Sequence, residues 1–385
     1  MASTITVTPG TPSGLSWGGD PLDVWGVRVA SAGARDSWTD QLIAHLDEYL
    51  GYGVNALTVF YQGSSGGSVQ AFSPDGREIE PALQRRMERL LDAAAERRML
   101  VVAGVFYQNQ TARLDPANGP WLEGRDAYPR AVETVARSLR RYPNVILNTC
   151  NEHTVRQFEG CPFPMRTVEG IVELCRAAKA GDPERLVGGG GGHGAGHGGG
   201  QSGTNEQLVA RPEVEVLLWD WGNHSPEAIA AYQAVDPRKP TMNVEVFGAR
   251  AQGFVEVSDL GQAGHPDQAG PGASADHTWV GWVGGGSRTP PPPPGRRRIQ
   301  GVFPEHTAGE GSAIHRGRED FRAEIACATA TPGFSLFGHF PGWYQGPSRD
   351  PSFDNRFDLG GQGTIEDPGI RWYFEAVADA RGTSR

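Results

Sequence analysis

Hydrophobic positions in this chain fall into two alternating textures. Short apolar runs of strand length give way to longer stretches in which apolar side chains return every three or four residues, and the pair then repeats. The first run is Val24 to Ala30; the stretch 38–53 follows, with Leu42, Leu46 and Leu50 at helical spacing and Gly51 near its end. A strand at Asn55–Gln62 precedes a helix over 79–98, with Pro81 placed for its first turn. Strands at Met99–Phe106 and 144–149 are followed by helices at 127–142 and 167–181 respectively.

Later repeats are weaker but keep the order. Arg185–Gly191 reads as a fifth strand, Val214–Trp221 as a sixth with a helix over 225–235, and Pro240–Gly248 as a seventh. A helix over 317–330, an eighth strand at 334–340 and a closing helix over 367–381 complete the pattern. Eight strand-then-helix units predict an α/β chain folded as a (β/α)8 TIM barrel in a single domain, residues 1–385. A doubly wound open sheet is the alternative; no G-x-G-x-x-G follows an early strand, and no P-loop occurs.

The largest break in the rhythm is residues 249–312, rich in Gly, Pro, Ala, Ser and Asp, which reads as a long loop inserted after the seventh strand. Thr289–Arg298 within it should be extended polyproline-type chain, and Arg296, Arg297 and Arg298 read as loop decoration. In a barrel this connection leaves the face where strand C-termini gather, so Trp279 and Trp282 are placed to reach over a site there or to ride as incidental loop residues.

Composition narrows the function classes. A net charge of −10 with no clustered basic face argues against nucleic acid as partner. No stretch approaches the ~20 apolar residues of a membrane span, and the start of the sequence lacks a basic region followed by an apolar run. A soluble, cytoplasmic protein is expected. The four cysteines (Cys150, Cys161, Cys175, Cys327) have no motif spacing and read as free thiols, with a Cys150–Cys161 approach left open.

The chemistry sits at strand ends. The fourth strand runs directly into Asn151-Glu152-His153, and Glu245 lies near the end of the seventh. The two glutamates are 93 residues apart, about the length of three βα units here, so strands four and seven would present them across the barrel to one cleft. Glycosidic cleavage needs such a pair: one carboxyl protonates the departing oxygen, and the other attacks the anomeric carbon or activates water. A gap of about 5–5.5 Å gives retention and one of about 6.5–9.5 Å gives inversion. The plainer alternatives are an exposed loop carboxylate for Glu152 and a strand-end ion pair for Glu245.

Asn151-Glu152 after a fourth strand, with a glutamate ending the seventh, resembles the clan A retaining glycoside hydrolases, the (β/α)8-barrel cellulases, β-mannanases and β-glycosidases. The resemblance implies a retaining double displacement with Glu152 as acid/base, Glu245 as nucleophile and Asn151 bonded to the sugar hydroxyl beside the anomeric carbon. It also implies a carbohydrate substrate, β-linked oligosaccharides or glycosides, and no metal or organic cofactor. Clan members place an arginine beneath the nucleophile, often on the second strand, where this chain has Thr58, Phe60 and Tyr61; Arg28, ending the first strand, is the candidate substitute. Tyr107 is a second candidate donor to the nucleophile.

Aromatic rings stack on the C–H faces of sugars. Trp343 after the eighth strand, beside Tyr344, matches the clan's subsite tryptophan. Trp219 and Trp221 at the sixth strand's end divide between core packing and substrate contact, and His224 between a bond to the nucleophile or a sugar and a plain loop position. His193 and His197 lie in glycine that cannot hold the helix a four-residue zinc spacing needs, so they read as loop; His153 is a further cleft candidate. Two other functions remain: a metal-dependent barrel hydrolase or sugar isomerase, against which the first strand offers no H-x-H pair, and a catalytically inactive carbohydrate-binding barrel.

Overall fold

Eight parallel strands close on themselves in the computed structural model. It describes residues 4–64, 69–107, 122–155, 158–191, 204–220, 226–246, 252–256, 296–300, 318–340, 344, 355–360 and 370–383. The barrel strands are β1 Trp25–Arg28, β2 Ala56–Phe60, β3 Leu100–Phe106, β4 Val145–Cys150, β5 Val187–Gly189, β6 Val216–Trp219, β7 Thr241–Val246 and β8 Phe334–Gly338. Each pairs with its neighbour in sequence, and β8 pairs with β1. The helices between and after them are α1 Asp36–Gly51, α2 Pro81–Glu96, α3 Ala127–Ser138, α4 Val168–Gly181, α5 Thr204–Val209, α6 Pro226–Val235, α7 Arg318–Thr329 and α8 Ile370–Arg381. This is the (β/α)8 barrel expected from the alternation.

Helix starts follow local chemistry. Pro81 opens α2, where the missing N–H is no loss, and the Glu80 carboxylate accepts from the amides of Ala82 (3.0 Å) and Leu83 (2.6 Å). Thr167 caps α4 by accepting from Gly170 at 3.0 Å. The α1 stripe of Trp38, Leu42, Leu46 and Tyr49 is buried, so its spacing did report the packed face.

Two cores result, inside and outside the strand wall. On β3, Leu100 and Val102 belong to the barrel interior, whereas Val101, Ala103 and Val105 pack under the helices. The interior cluster continues through Ile146, Val216, Leu218, Met242, Val244 and Phe337 to Ile5, Leu15 and Trp17. These last three belong to a three-stranded antiparallel sheet, Ile5–Val7, Leu15–Trp17 and Asp20–Pro21, absent from the sequence-based expectation. That sheet covers the end of the barrel where the strands begin.

Two expectations are corrected, and one alternative left open is settled. Arg296, Arg297 and Arg298 are neither loop decoration nor polyproline-type chain: Arg296–Gln300 pairs antiparallel with Gln252–Glu256, so two segments within the insertion form a two-stranded ribbon. Strands β4 and β7 are not diametrically opposed; β5 and β6 stand between them on one side and four strands on the other. Trp219 is fully buried in the outer core, its ring 5.7 Å from Tyr232, so it packs and does not face a cleft. Tyr344 is likewise buried, against Tyr49, Phe340 and Phe357. Trp221, His224, Trp343, Trp279, Trp282, His193 and His197 lie outside the described residues. All four cysteines are free thiols.

Candidate active site

The C-terminal end of the strand ring carries a buried charged cluster, and each member comes from a different strand. At the end of β4, Asn151 extends the ladder by one bond, its N–H donating to Phe106 at 2.9 Å. The chain then turns abruptly: Glu152 has φ +43°, a left-handed backbone in a residue with a full side chain. Such a conformation costs roughly 1–2 kcal/mol and persists only where neighbours impose it. Glu152 is almost wholly buried, and its Oε2 accepts from Asn151 Nδ2 at 3.2 Å.

Glu245 reaches the same place by another route. Met242 and Val244 point into the barrel, so strict alternation would turn Glu245 outward to the helices. Between Asn243 and Val246 the pairing with β8 slips: these two residues oppose Leu336 and Gly338, three steps against two. The extra residue is a bulge, and it resets the alternation so that Glu245 faces in while Val246 packs outward. The Glu245 amide is held by Asn243 Oδ1 at 3.0 Å.

Arg28, the last residue of β1, is fully buried and bridges the cluster. Its Nη2 donates to Asn151 Oδ1 at 2.9 Å and lies 3.5 Å from Glu245 Oε2. Its Nη1 donates to Asp220 Oδ1 at 3.2 Å and to the Val244 carbonyl at 3.3 Å. The guanidinium rests against the rings of Phe60 (5.3 Å) and Tyr107 (5.7 Å), whose quadrupoles favour a cation there. Thus the arginine sits on β1, and β2 supplies Phe60 beneath it. Tyr107 is positioned by its own N–H, which donates to Gln62 Oε1 at 2.9 Å.

Two members were missed in the sequence. Asp220, directly after β6, is fully buried and accepts from the Glu152 amide through Oδ2 at 2.9 Å. His339, directly after β8, places Nε2 3.5 Å from Glu245 Oε1. Both are the first polar residue past their strand, a signal close to the one that picks out Asn151-Glu152. Asp220 was masked by the tryptophans flanking it. His153 is buried with Nδ1 3.2 Å from the Met165 carbonyl, under the following loop.

Two carboxylates, Asp220 and Glu245, share one guanidinium in this cluster, and burial dominates their ionisation. Burial raises Asp220, Arg28 opposes and Glu245 reinforces, leaving the carboxyl at about 7. Burial also raises Glu245 above the usual carboxylate range, with Arg28 opposing. For Arg28 burial disfavours the charge, but Glu245, Tyr107, Asp220 and Glu152 outweigh it, so the guanidinium holds its proton more tightly than usual. Burial and then Arg28 push His339 well below its ordinary value, so this imidazole is neutral. Among the described residues no three His, Cys, Asp or Glu side chains group as a metal site, and no helix is long and apolar enough to cross a membrane.

No family model and no curated protein matches the sequence. Solved structures do match its fold. A family 5 glycoside hydrolase mannosidase from Rhizomucor miehei, solved as a mutant, aligns at TM-score 0.56 and 11% identity over 99% of this chain and 98% of its own. GH5_18 from Streptomyces cattleya, solved with GlcNAc, aligns at TM-score 0.54 and 19% identity over 94% of this chain and 81% of its own. A candidate glycoside hydrolase from Bacteroides vulgatus aligns at TM-score 0.56 and 11% identity over 96% of this chain; only 59% of that protein's own length is spanned. The barrel is therefore of the kind on which family 5 glycoside hydrolases are built.

Proposed function

We propose that this protein is a glycoside hydrolase working by a retaining double displacement, with Glu152 as acid/base and Glu245 as nucleophile, on β-linked oligosaccharides or glycosides. One observation carries the reading: two glutamates far apart in sequence converge on one guanidinium at the mouth of a closed barrel, Glu245 directly and Glu152 through the Asn151 amide. The fold likeness to family 5 enzymes supports it.

The roles follow from the surroundings. A nucleophilic carboxylate must be ionised, and Arg28 is the charge that favours this at Glu245, opposing burial. In the first step a Glu245 oxygen bonds to the anomeric carbon, the glycosidic C–O bond breaks, and the departing oxygen takes the Glu152 proton. In the second, Glu152 removes a proton from water, which attacks the same carbon, breaks the bond to Glu245 and returns the anomeric configuration. His339, neutral, flanks the other oxygen of Glu245 and can donate to it without adding charge. Asn151 serves both carboxylates: its oxygen is fixed by Arg28, which aims its Nδ2 at Glu152 and at the hydroxyl beside the reacting carbon.

The test is hydrolysis of a panel of aryl β-glycosides, with NMR of the first-formed anomer. Retention is expected, with activity lost in Glu245→Ala and partly restored by azide, which occupies the vacated carboxylate site and leaves as a glycosyl azide of inverted configuration. An inverted sugar from the unmodified protein, or full activity in Glu245→Ala, would refute the assignment.

A further inference from the structure

We propose that Asp220 is a positioning residue that ties the backbone of the acid/base to the counter-ion of the nucleophile. The proposal rests on the glycosidase reading for its catalytic consequence, but its geometry stands independently. Asp220 has no exposed surface. One carboxylate oxygen accepts from Arg28 Nη1 at 3.2 Å and the other from the Glu152 amide at 2.9 Å. The carboxylate therefore spans the two halves of the candidate site, from β1 to the end of β4. Its own amide is directed to the Gly191 carbonyl at 3.5 Å, after β5.

The Glu152 backbone needs such a partner. A left-handed backbone in a glutamate is uphill, while a hydrogen bond to a charged acceptor is favourable. The two oppose each other, so removing the acceptor frees φ to relax. Relaxation swings the side-chain direction of Glu152, and proton transfer to a leaving oxygen tolerates little misplacement. Groups facing Asp220 are Arg28 from β1, Glu152 and Cys150 from β4, and Glu245 from β7. The Cys150 thiol is pushed well up by burial and carries no charge. Ionised Asp220 thus adds negative charge beside Glu152 and helps it keep its proton.

The experiment compares Asp220→Asn and Asp220→Ala with the unmodified protein on two substrates differing only in leaving group. Dinitrophenyl glycosides depart without a proton; phenyl glycosides need one. If Asp220 acts through Glu152, Asp220→Ala loses at least about tenfold more kcat/KM, which reports the first step, on the phenyl substrate, part of the 10²–10⁴-fold that a general acid contributes. In Asp220→Asn the alkaline limb of kcat/KM moves to lower pH. Equal losses on both substrates with unmoved limbs would mean a purely structural residue and would overturn the proposal. A second readout needs no substrate: the Glu152 amide resonance should titrate with Asp220, near pH 7, and stop titrating in Asp220→Asn. An amide indifferent to that substitution also overturns the proposal. A titrating amide in a protein that cleaves no glycoside upholds the tie while removing the glycosidase reading.

Discussion

Glu152 carries two burdens at one residue: a side chain aimed into a buried cluster and a backbone at φ +43°. The two can be separated by substitution. Glu152→Ala and Glu152→Gly both remove the carboxylate, and both should abolish cleavage of substrates with poor leaving groups. Only glycine occupies the left-handed region without a Cβ penalty. Glu152→Gly should therefore be the more stable of the two by about 1 kcal/mol in urea denaturation. Equal midpoints, or alanine ahead, would show that the backbone is not strained there. The cluster around it follows the same logic of unfavourable local choices held by neighbours. Arg28 has no exposed surface, and its charge is tolerated because Glu245, Asp220 and the faces of Phe60 and Tyr107 surround it.

Elements convert these residues into a site, and they explain what could be read beforehand. The strand–helix rhythm was legible because both faces of each barrel strand are buried, giving short apolar runs, while each helix buries one stripe. Glu152 was legible because it interrupts an apolar run at its C-terminal end. The inward turn of Glu245 was not legible: period-two alternation alone turns it outward, and the bulge that turns it back depends on the register with β8, which no local pattern encodes. Asp220 was hidden between Trp219 and Trp221, whose bulk drew the attention that its position warranted. The N-terminal sheet was illegible because its strands are two or three residues long, too short for a period to show. Element packing also fixes the floor of the site. A Cβ at Gly104 on β3 would stand 2.1 Å from the Phe60 ring, which carries the Arg28 guanidinium. Gly104→Ala should displace Phe60 and with it Arg28, costing about 1–3 kcal/mol of stability and lowering kcat more than thermal stability alone accounts for. A variant with unchanged kcat would detach the ring from the arginine's positioning.

At the scale of the whole molecule the barrel divides its work between two ends. Leu15 and Trp17 seal the end where strands begin, and the charged cluster occupies the end where they finish. Leu15→Ala should cost about 2–5 kcal/mol while leaving KM unaltered in the folded fraction; a raised KM would mean the two ends communicate. The buried ionisable groups also set how the fold responds to pH, and here they oppose one another. Asp220, raised to about 7 by burial, contributes stability that is present below the unfolded pKa near 3.8 and lost as pH rises toward 7; Glu245 shifts in the same direction. His153, pushed by burial down to about 4, contributes stability that is present above 6.5 and lost as pH falls toward 4; His339 follows it. Between about pH 4 and 6.5 the carboxyls make stability fall with pH and the imidazoles make it rise, so their slopes offset. Asp220→Asn deletes one falling contribution. The variant's unfolding free energy should therefore climb more steeply with pH than the unmodified protein's when both are measured by urea denaturation at pH 4.5, 5.5 and 6.5. The slope is the diagnostic, since a loss of packing or hydrogen bonding that does not depend on protonation lowers the whole curve without tilting it. Parallel curves would mean that Asp220 ionises alike in the folded and unfolded chain, and that burial does not govern this cluster.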